Sequence, residues 1–357
     1  MFIIDAHLDL AMNAMEWNRD LKLPVASIRE REKGMKDKPD RERNTVSLPA
    51  LRKGKTGLVV ATQIARYVKR GSMLPGWNSP EQAWAQSQAQ LAWYHAMIGE
   101  GEMVQVTGKN SLEEHIILWE EDSKPDEQKP IGFILSLEGA DSLVNLSYLE
   151  KAYSYGLRAL GPAHYGEGRY AGGTGTGDGF TVIGKSLLRE MDSLHMILDI
   201  THLTDLGFNE AMELYKGPVW ASHHNCRALV NNQRQLTDDQ IRRLIERGAV
   251  IGGVLDAWML TEGWIRGVSI PKARGTDLNS LIDNYDHICQ IAGNSNHIAI
   301  GSDLDGAFGT EQSPYDLDTI ADLQKLPELL RLRGYADIDI SNVLHGNWLR
   351  FLRNAWD

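Results

Sequence analysis

The sequence predicts an α/β protein: a (β/α)8, TIM-like barrel in a single domain with C-terminal helices. Three observations predict it. Eight apolar runs of strand length recur along the 357 residues, helical patterns separate them, and most runs are apolar at nearly every position. Strands covered on both faces read that way, and strand-helix alternation repeated eight times closes most simply into a barrel. A doubly wound open sheet is the alternative. No domain boundary or internal repeat interrupts the chain, so residues 1–357 are read as one unit.

The first run is Phe2 to Ala6, within a string that continues Asp5-Ala6-His7-Leu8-Asp9. His7 and Asp9 are two apart, so in an extended strand both point to one face. Residues 28–44 are dense in charge and are read as a solvated surface excursion. The second run is Leu58 to Gln63. After it, Ser79-Pro80 supplies an N-cap with proline at the first helical position, leading into a helix over Gln82 to Ile98. The third run, Ile131 to Leu137, ends in Glu138 within Ser136-Leu137-Glu138-Gly139-Ala140-Asp141. The fourth, Leu157 to Leu160, leads to His164 and then to a glycine-rich stretch, 166–179. No Gly-Lys-Ser/Thr follows those glycines, and no tightly attached strand and helix flank them. They are read as a flexible loop over the barrel mouth.

The fifth run, Met196 to Ile200, leads to His202, and the sixth, Val219 to Ser222, to His223. Thr237-Asp238-Asp239-Gln240 has capping-box spacing, and Gly248 closes the helix it starts. The seventh run is Ala249 to Val254, with Trp258 at its mouth. An amphipathic stretch, Asn279 to Ala292, ends at Gly293. The eighth run, Ile298 to Gly301, is followed by Asp303 and Asp305.

A barrel keeps its reactive groups at the C-terminal ends of its strands. There the chain sets His7, Asp9, Glu138, His164, His202, His223 and Asp303, from six different strands. The other histidines form an internal control. His195 and His297 precede strands, and His95, His115, His287 and His345 fall in helical patterns. Four imidazoles and three carboxylates at one face are hard to explain by packing, because buried charges sharing a cavity pair or coordinate metal. With no thiolate among them, the set suits zinc, with manganese, cobalt or iron as substitutes. So many donors allow two metals, with Glu138 bridging at about 3.5–4 Å.

Composition excludes other classes. A formal net charge of −11 argues against a nucleic-acid or anionic-membrane binder. The two cysteines, Cys226 and Cys289, form no CxxC and no disulfide framework. No signal-peptide pattern, membrane-length apolar run or lipid-anchor tail is visible, so a cytoplasmic protein is expected.

These strings resemble the membrane dipeptidase (renal dipeptidase) family, peptidase M19, among the amidohydrolase-like metal-dependent hydrolases. The matching segments are Asp5 to Asp9, Ser136 to Asp141, Asp199-Ile200-Thr201-His202-Leu203-Thr204, Ser222-His223-His224-Asn225-Cys226-Arg227-Ala228-Leu229 and Gly301-Ser302-Asp303-Leu304-Asp305-Gly306. Gly184 to Met191 and Arg234 to Asp238 also resemble family segments. The resemblance is weakest from Ala11 to Gly57 and from Arg66 to Pro130. It implies two zinc ions, one on His7 and Asp9, the other on His202 and His223, with Glu138 between them. It further implies that His164 holds the scissile carbonyl and stabilises the oxyanion. Arg234 would pair with the substrate's terminal carboxylate, and Asp303 would shuttle a proton. His224 stands where the family usually has a small polar residue and remains a rival to His223. Asp305 remains a rival to Asp303.

The activity so implied is zinc-dependent hydrolysis of short dipeptides through a metal-bridging hydroxide, since two cations sharing a water lower its pKa far below the bulk value. The family includes enzymes tolerant of a D-residue at the carboxy-terminal position, so L-Xaa-D-Xaa substrates belong to the expectation. The alternatives are a metal-dependent amidohydrolase acting on N-acyl amino acids or lactones, and a non-catalytic metal- or ligand-binding barrel. The expected partner is a small molecule, with no nucleic acid and no membrane; a homodimer is left open.

Overall fold

The computed structural model describes residues 1–121 and 124–356. Eight parallel strands form a nearly closed barrel with helices around it. In chain order the strands are β1 (Ile3–Leu8), β2 (Thr56–Ile64), β3 (Met103–Gln105), β4 (Ile131–Glu138), β5 (Leu157–Gly161), β6 (Ile197–Asp199), β7 (Val219–Trp220), β8 (Ile251–Gly253) and β9 (Ile298–Ile300). The hydrogen-bonded order is β7-β6-β5-β4-β2-β1-β9-β8. A single bridge, Ala221 to Ile251, joins the two ends. Glycine permits that closure: a Cβ on Gly252 or Gly301 would lie 2.0 or 1.7 Å from the Ser222 carbonyl oxygen.

The ninth strand, β3, lies outside the eight. It pairs with β4 at Ile131 to Phe133, whereas β5 pairs with β4 from Leu135 onward. The expected helices are present. Ser79 accepts from Gln82 N to start Pro80–Gly99. Thr237 and Gln240 form a capping box before Asp238–Glu246, and Asp277 caps Leu278–Ala292, which ends at a left-handed Gly293. No described helix is long and apolar enough to cross a membrane.

One cluster of apolar side chains, including Ile4, Val60, Ile134 and Trp220, packs with Trp348 and Phe351 of the helix Asn347–Ala355. That helix is fixed to β9: Trp348 Nε1 donates to Ile300 O and Asn347 Nδ2 to Ile298 O. The larger cluster surrounds the barrel between sheet and helices.

The segment 28–44 departs from a fully solvated excursion. Lys33 to Asp37 are exposed, but Glu32, Asp40 and Asn44 are buried. Arg19, its side chain fully covered, reaches Glu32 at 2.8 Å and Asp40 at 2.9 Å, and Arg41 reaches Glu32 at 2.6 Å. A buried guanidinium must be paired, so the charge pattern here records an internal ion network as well as a wet surface.

Candidate metal centre and active site

The strand-end residues converge. His7 is buried at the end of β1. Asp9 stands one residue beyond that strand, at the N-terminus of helix Leu10–Met15 with φ −85° and ψ 50°, so the extended i, i+2 geometry is not what brings the pair together. Its carboxylate receives the Thr62 hydroxyl from β2. Glu138 ends β4, and its Oε1 is the hub. It lies 3.2 Å from His202 Nε2, 3.6 Å from both His7 and His223 Nε2, and 3.9 Å from His164 Nε2. Asp9 Oδ1 and Asp303 Oδ1 are each 3.8 Å from His7 Nε2. Donor atoms of three trios, His7-Asp9-Glu138, Glu138-His164-His202 and His7-His223-Asp303, each fall within 4.8 Å of one another.

The surroundings fit a cation. His7 Nε2 is buried without a hydrogen-bond partner, a cost that a metal removes. His223 Nδ1 faces Ser222 Oγ at 2.9 Å and His202 Nδ1 faces Thr174 Oγ1 at 3.0 Å. Each hydroxyl can accept that proton, leaving Nε2 with a free lone pair toward Glu138. Burial, then Asp9 and Asp199, push Glu138 well above the usual carboxylate range, and burial lifts Asp9 to about 6. Burial, with Arg234 second, pushes His7 down to about 3. Neutral imidazoles among reluctant carboxylates are what a divalent ion reorganises, because its charge stabilises the ionised acids.

Two further acids brace the turns. Asp5 Oδ1 accepts from Ser302 N at 2.8 Å and His7 N at 3.2 Å. Asp199 Oδ1 accepts from Thr201 N and Ser222 N, both at 3.1 Å. His202 and Asp303 hold left-handed backbones, φ 67° and 57°, a strain that concentrates at functional positions.

Arg234 is buried, not a surface residue. Its Nη2 donates to His223 O at 2.9 Å, its Nη1 lies 3.2 Å from both ring nitrogens of His224, and its Nε has no partner. His224 is therefore turned to Arg234 while His223 faces Glu138. Asp305 accepts from Thr45 N, Thr45 Oγ1 and Val46 N at 2.6–2.9 Å, whereas Asp303 faces His7. The glycine-rich stretch is pinned rather than free. Thr174 N donates to His164 O, Gly175 N to Gln233 Oε1, and Gln233 Nε2 to Thr176 O.

A family model described as membrane dipeptidase (peptidase family M19) matches residues 1–357. The chain belongs to that family. Membership makes it a hydrolase of the metallo-dipeptidase class and makes it metal-dependent. An uncharacterized protein of the pqqA 5′ region of Klebsiella pneumoniae is 30% identical over 240 residues, which are 64% of this chain and 84% of that protein. Dipeptidase 3 of Rattus norvegicus is 30% identical over 177 residues, 50% of this chain and 33% of its own length. A Rhodobacter sphaeroides metallopeptidase, solved with a phosphinate mimic of the dipeptide L-Ala-D-Ala, superposes with a TM-score of 0.77 at 21% identity, covering 100% of this chain and 99% of its own. Another dipeptidase of this metallopeptidase family gives 0.76 at 23%, with the same coverage. At such identities these structures speak to the fold.

Sequence reasoning did not find Arg66, Thr62 or Thr174. Arg66 follows β2 by two residues, so the strand-end rule would have found it. Thr62 and Thr174 carry no signal beyond their neighbourhood.

Proposed function

We propose that the protein hydrolyses short dipeptides with two zinc ions, one held by His7 and Asp9, the other by His202 and His223, and Glu138 shared between them. The observation that carries this reading is the convergence of His7, His202 and His223 on Glu138 Oε1, with Asp9 beside His7, in the mouth of a barrel of the M19 family. When bound, such cations polarise a carbonyl and acidify a water.

The remaining steps belong to the chain's own residues. The buried Arg234 guanidinium, its Nε unpartnered, offers parallel donors to a carboxylate and restricts substrates to peptides that end near the cleaved bond. His164 donates to the carbonyl oxygen as negative charge develops there. Asp303 accepts the proton released by water as its oxygen bonds to carbon, and delivers it to the amine nitrogen as the C–N bond breaks. Tolerance of a D-residue at the carboxy-terminal position belongs to this proposal. The dipeptide mimic bound by the Rhodobacter sphaeroides relative supports it.

The test is a panel of L-L and L-D dipeptides given to zinc-loaded and metal-stripped protein. Cleavage by the loaded form alone is expected. Activity restricted to N-acyl amino acids or lactones would transfer the same centre to amidohydrolase chemistry, and no turnover at all would remove the catalytic reading.

A further inference from the structure

Arg66 has no part in the chemistry above, yet it touches a residue that does. Its Nη2 meets His164 Nδ1, and its Nη1 donates to Pro75 O at 2.9 Å. The segment bearing it doubles back. Val68 N donates to Trp77 O and Trp77 N to Arg66 O, at 2.9 and 2.8 Å. The turn leaves no room behind it, since a Cβ on Gly76 would lie 2.8 Å from Arg66 O. His164 is held from its other side, where Thr174 N donates to its carbonyl at 2.9 Å.

We propose that Arg66 is a positioning residue that fixes His164 as the Nε2–H tautomer, so that His164 donates a hydrogen bond into the reaction centre and is barred from binding metal. A guanidinium has donors only. The nitrogen facing it must accept, so the single proton of the neutral imidazole sits on Nε2. That nitrogen is the one 3.9 Å from Glu138 Oε1.

Distance alone would admit His164 as a ligand, because its donor atom, that of Glu138 and that of His202 lie within 4.8 Å of one another. The partner on Nδ1 decides otherwise. His202 and His223 set Nδ1 against hydroxyls that can take a proton, which frees Nε2 for a metal. His164 sets Nδ1 against a cation that cannot. Three of the four histidines around Glu138 are thus sorted into two ligands and one donor by what stands behind each ring. The service to peptide cleavage rests on the dipeptidase reading; the tautomer does not.

The experiment records multiple-bond 1H–15N correlations of the histidine rings in 15N-histidine-labelled, zinc-loaded protein, with His164 assigned by its absence in His164→Gln. Wild type is expected to show Nε2–H at His164. Arg66→Met is expected to lose it in favour of Nδ1–H or a mixture, and Arg66→Lys, which keeps a donor, to retain it. In kinetics Arg66→Met should lower kcat about 10–100-fold while KM moves less than about threefold. Guanidinium ion should restore part of the rate in Arg66→Ala. An Nδ1–H signal in wild type, or an unchanged tautomer in Arg66→Met, overturns the proposal. If wild type cleaves no dipeptide, the functional reading fails, and the ring spectra, recorded without substrate, still judge Arg66.

Discussion

Asp303 and Asp305 share a left-handed turn, with φ 57° and 63°, yet their partners divide their work. Asp305 binds backbone and hydroxyl donors of Thr45 and Val46 and lies 3.9 Å from buried Arg19. Asp303, only partly covered, turns to His7. Removing a buried, paired charge costs about 3–5 kcal/mol because its partners are left without it; removing a proton carrier costs about 10²–10⁴ in rate and little stability. Asp303→Asn should therefore lose that much kcat with a urea midpoint no lower than wild type. Asp305→Asn should lower the midpoint by about 3 kcal/mol of stability while the folded fraction keeps measurable turnover. An Asp305→Asn protein that is as stable as wild type but inactive would reverse the assignment. The same logic separates His223 from His224: two adjacent imidazoles look alike in sequence, and only the position of Arg234 tells which faces the carboxylate.

The glycine-rich stretch acts as an element because one of its residues supports two histidines at once. It carries Thr174, whose N–H meets the His164 carbonyl and whose hydroxyl meets His202. A Cβ at Gly173 would lie 1.8 Å from His164 O, whereas Gly175, at φ 89°, has nothing within 4 Å. Gly173→Ala is thus expected to lower kcat/KM about 10–100-fold, the usual cost of disturbing the groups behind ligands. Gly175→Ala should carry only the left-handed backbone cost of about 1–2 kcal/mol and keep its activity. Equal kinetic effects would show that the loop matters as a whole rather than through its contact with His164. These dependencies were only partly legible in the sequence. Apolar runs exposed the eight barrel strands because burial on both faces writes itself into composition. β3 escaped because three residues with a half-open Val104 make no such run. The strand-end rule picked out the converging side chains at β1, β4, β6 and β7, since chemistry there needs particular residue types. Supports such as Thr62, Thr174 and the Arg19 network act through geometry across distant segments, and many residue types could fill those places.

For the whole molecule, the centre is a stability liability that a cation removes. Asp9, Glu138 and Asp303 sit in the barrel mouth, where Asp9 disfavours ionisation of Glu138 and both disfavour that of Asp303. Arg66 and Arg234 lower Glu138 only in part, behind burial and two neighbouring acids. Crowded carboxylates oppose folding at neutral pH, where they would otherwise ionise. Metal binding reverses this and adds its own linkage, about 4 kcal/mol at a thousandfold excess over Kd. In a chain of this size that corresponds to roughly 5 °C of Tm. Chelation should therefore lower Tm by about that amount, and added zinc should restore it. Glu138→Gln sharpens the test, because it removes a buried acid and the proposed shared metal donor together. Its metal-free form should melt at or above metal-free wild type, and zinc should raise it far less. A metal-free Glu138→Gln that melts well below metal-free wild type would mean that Glu138 serves the fold without metal. A wild-type Tm indifferent to chelator would mean that the cluster holds together by hydrogen bonding alone.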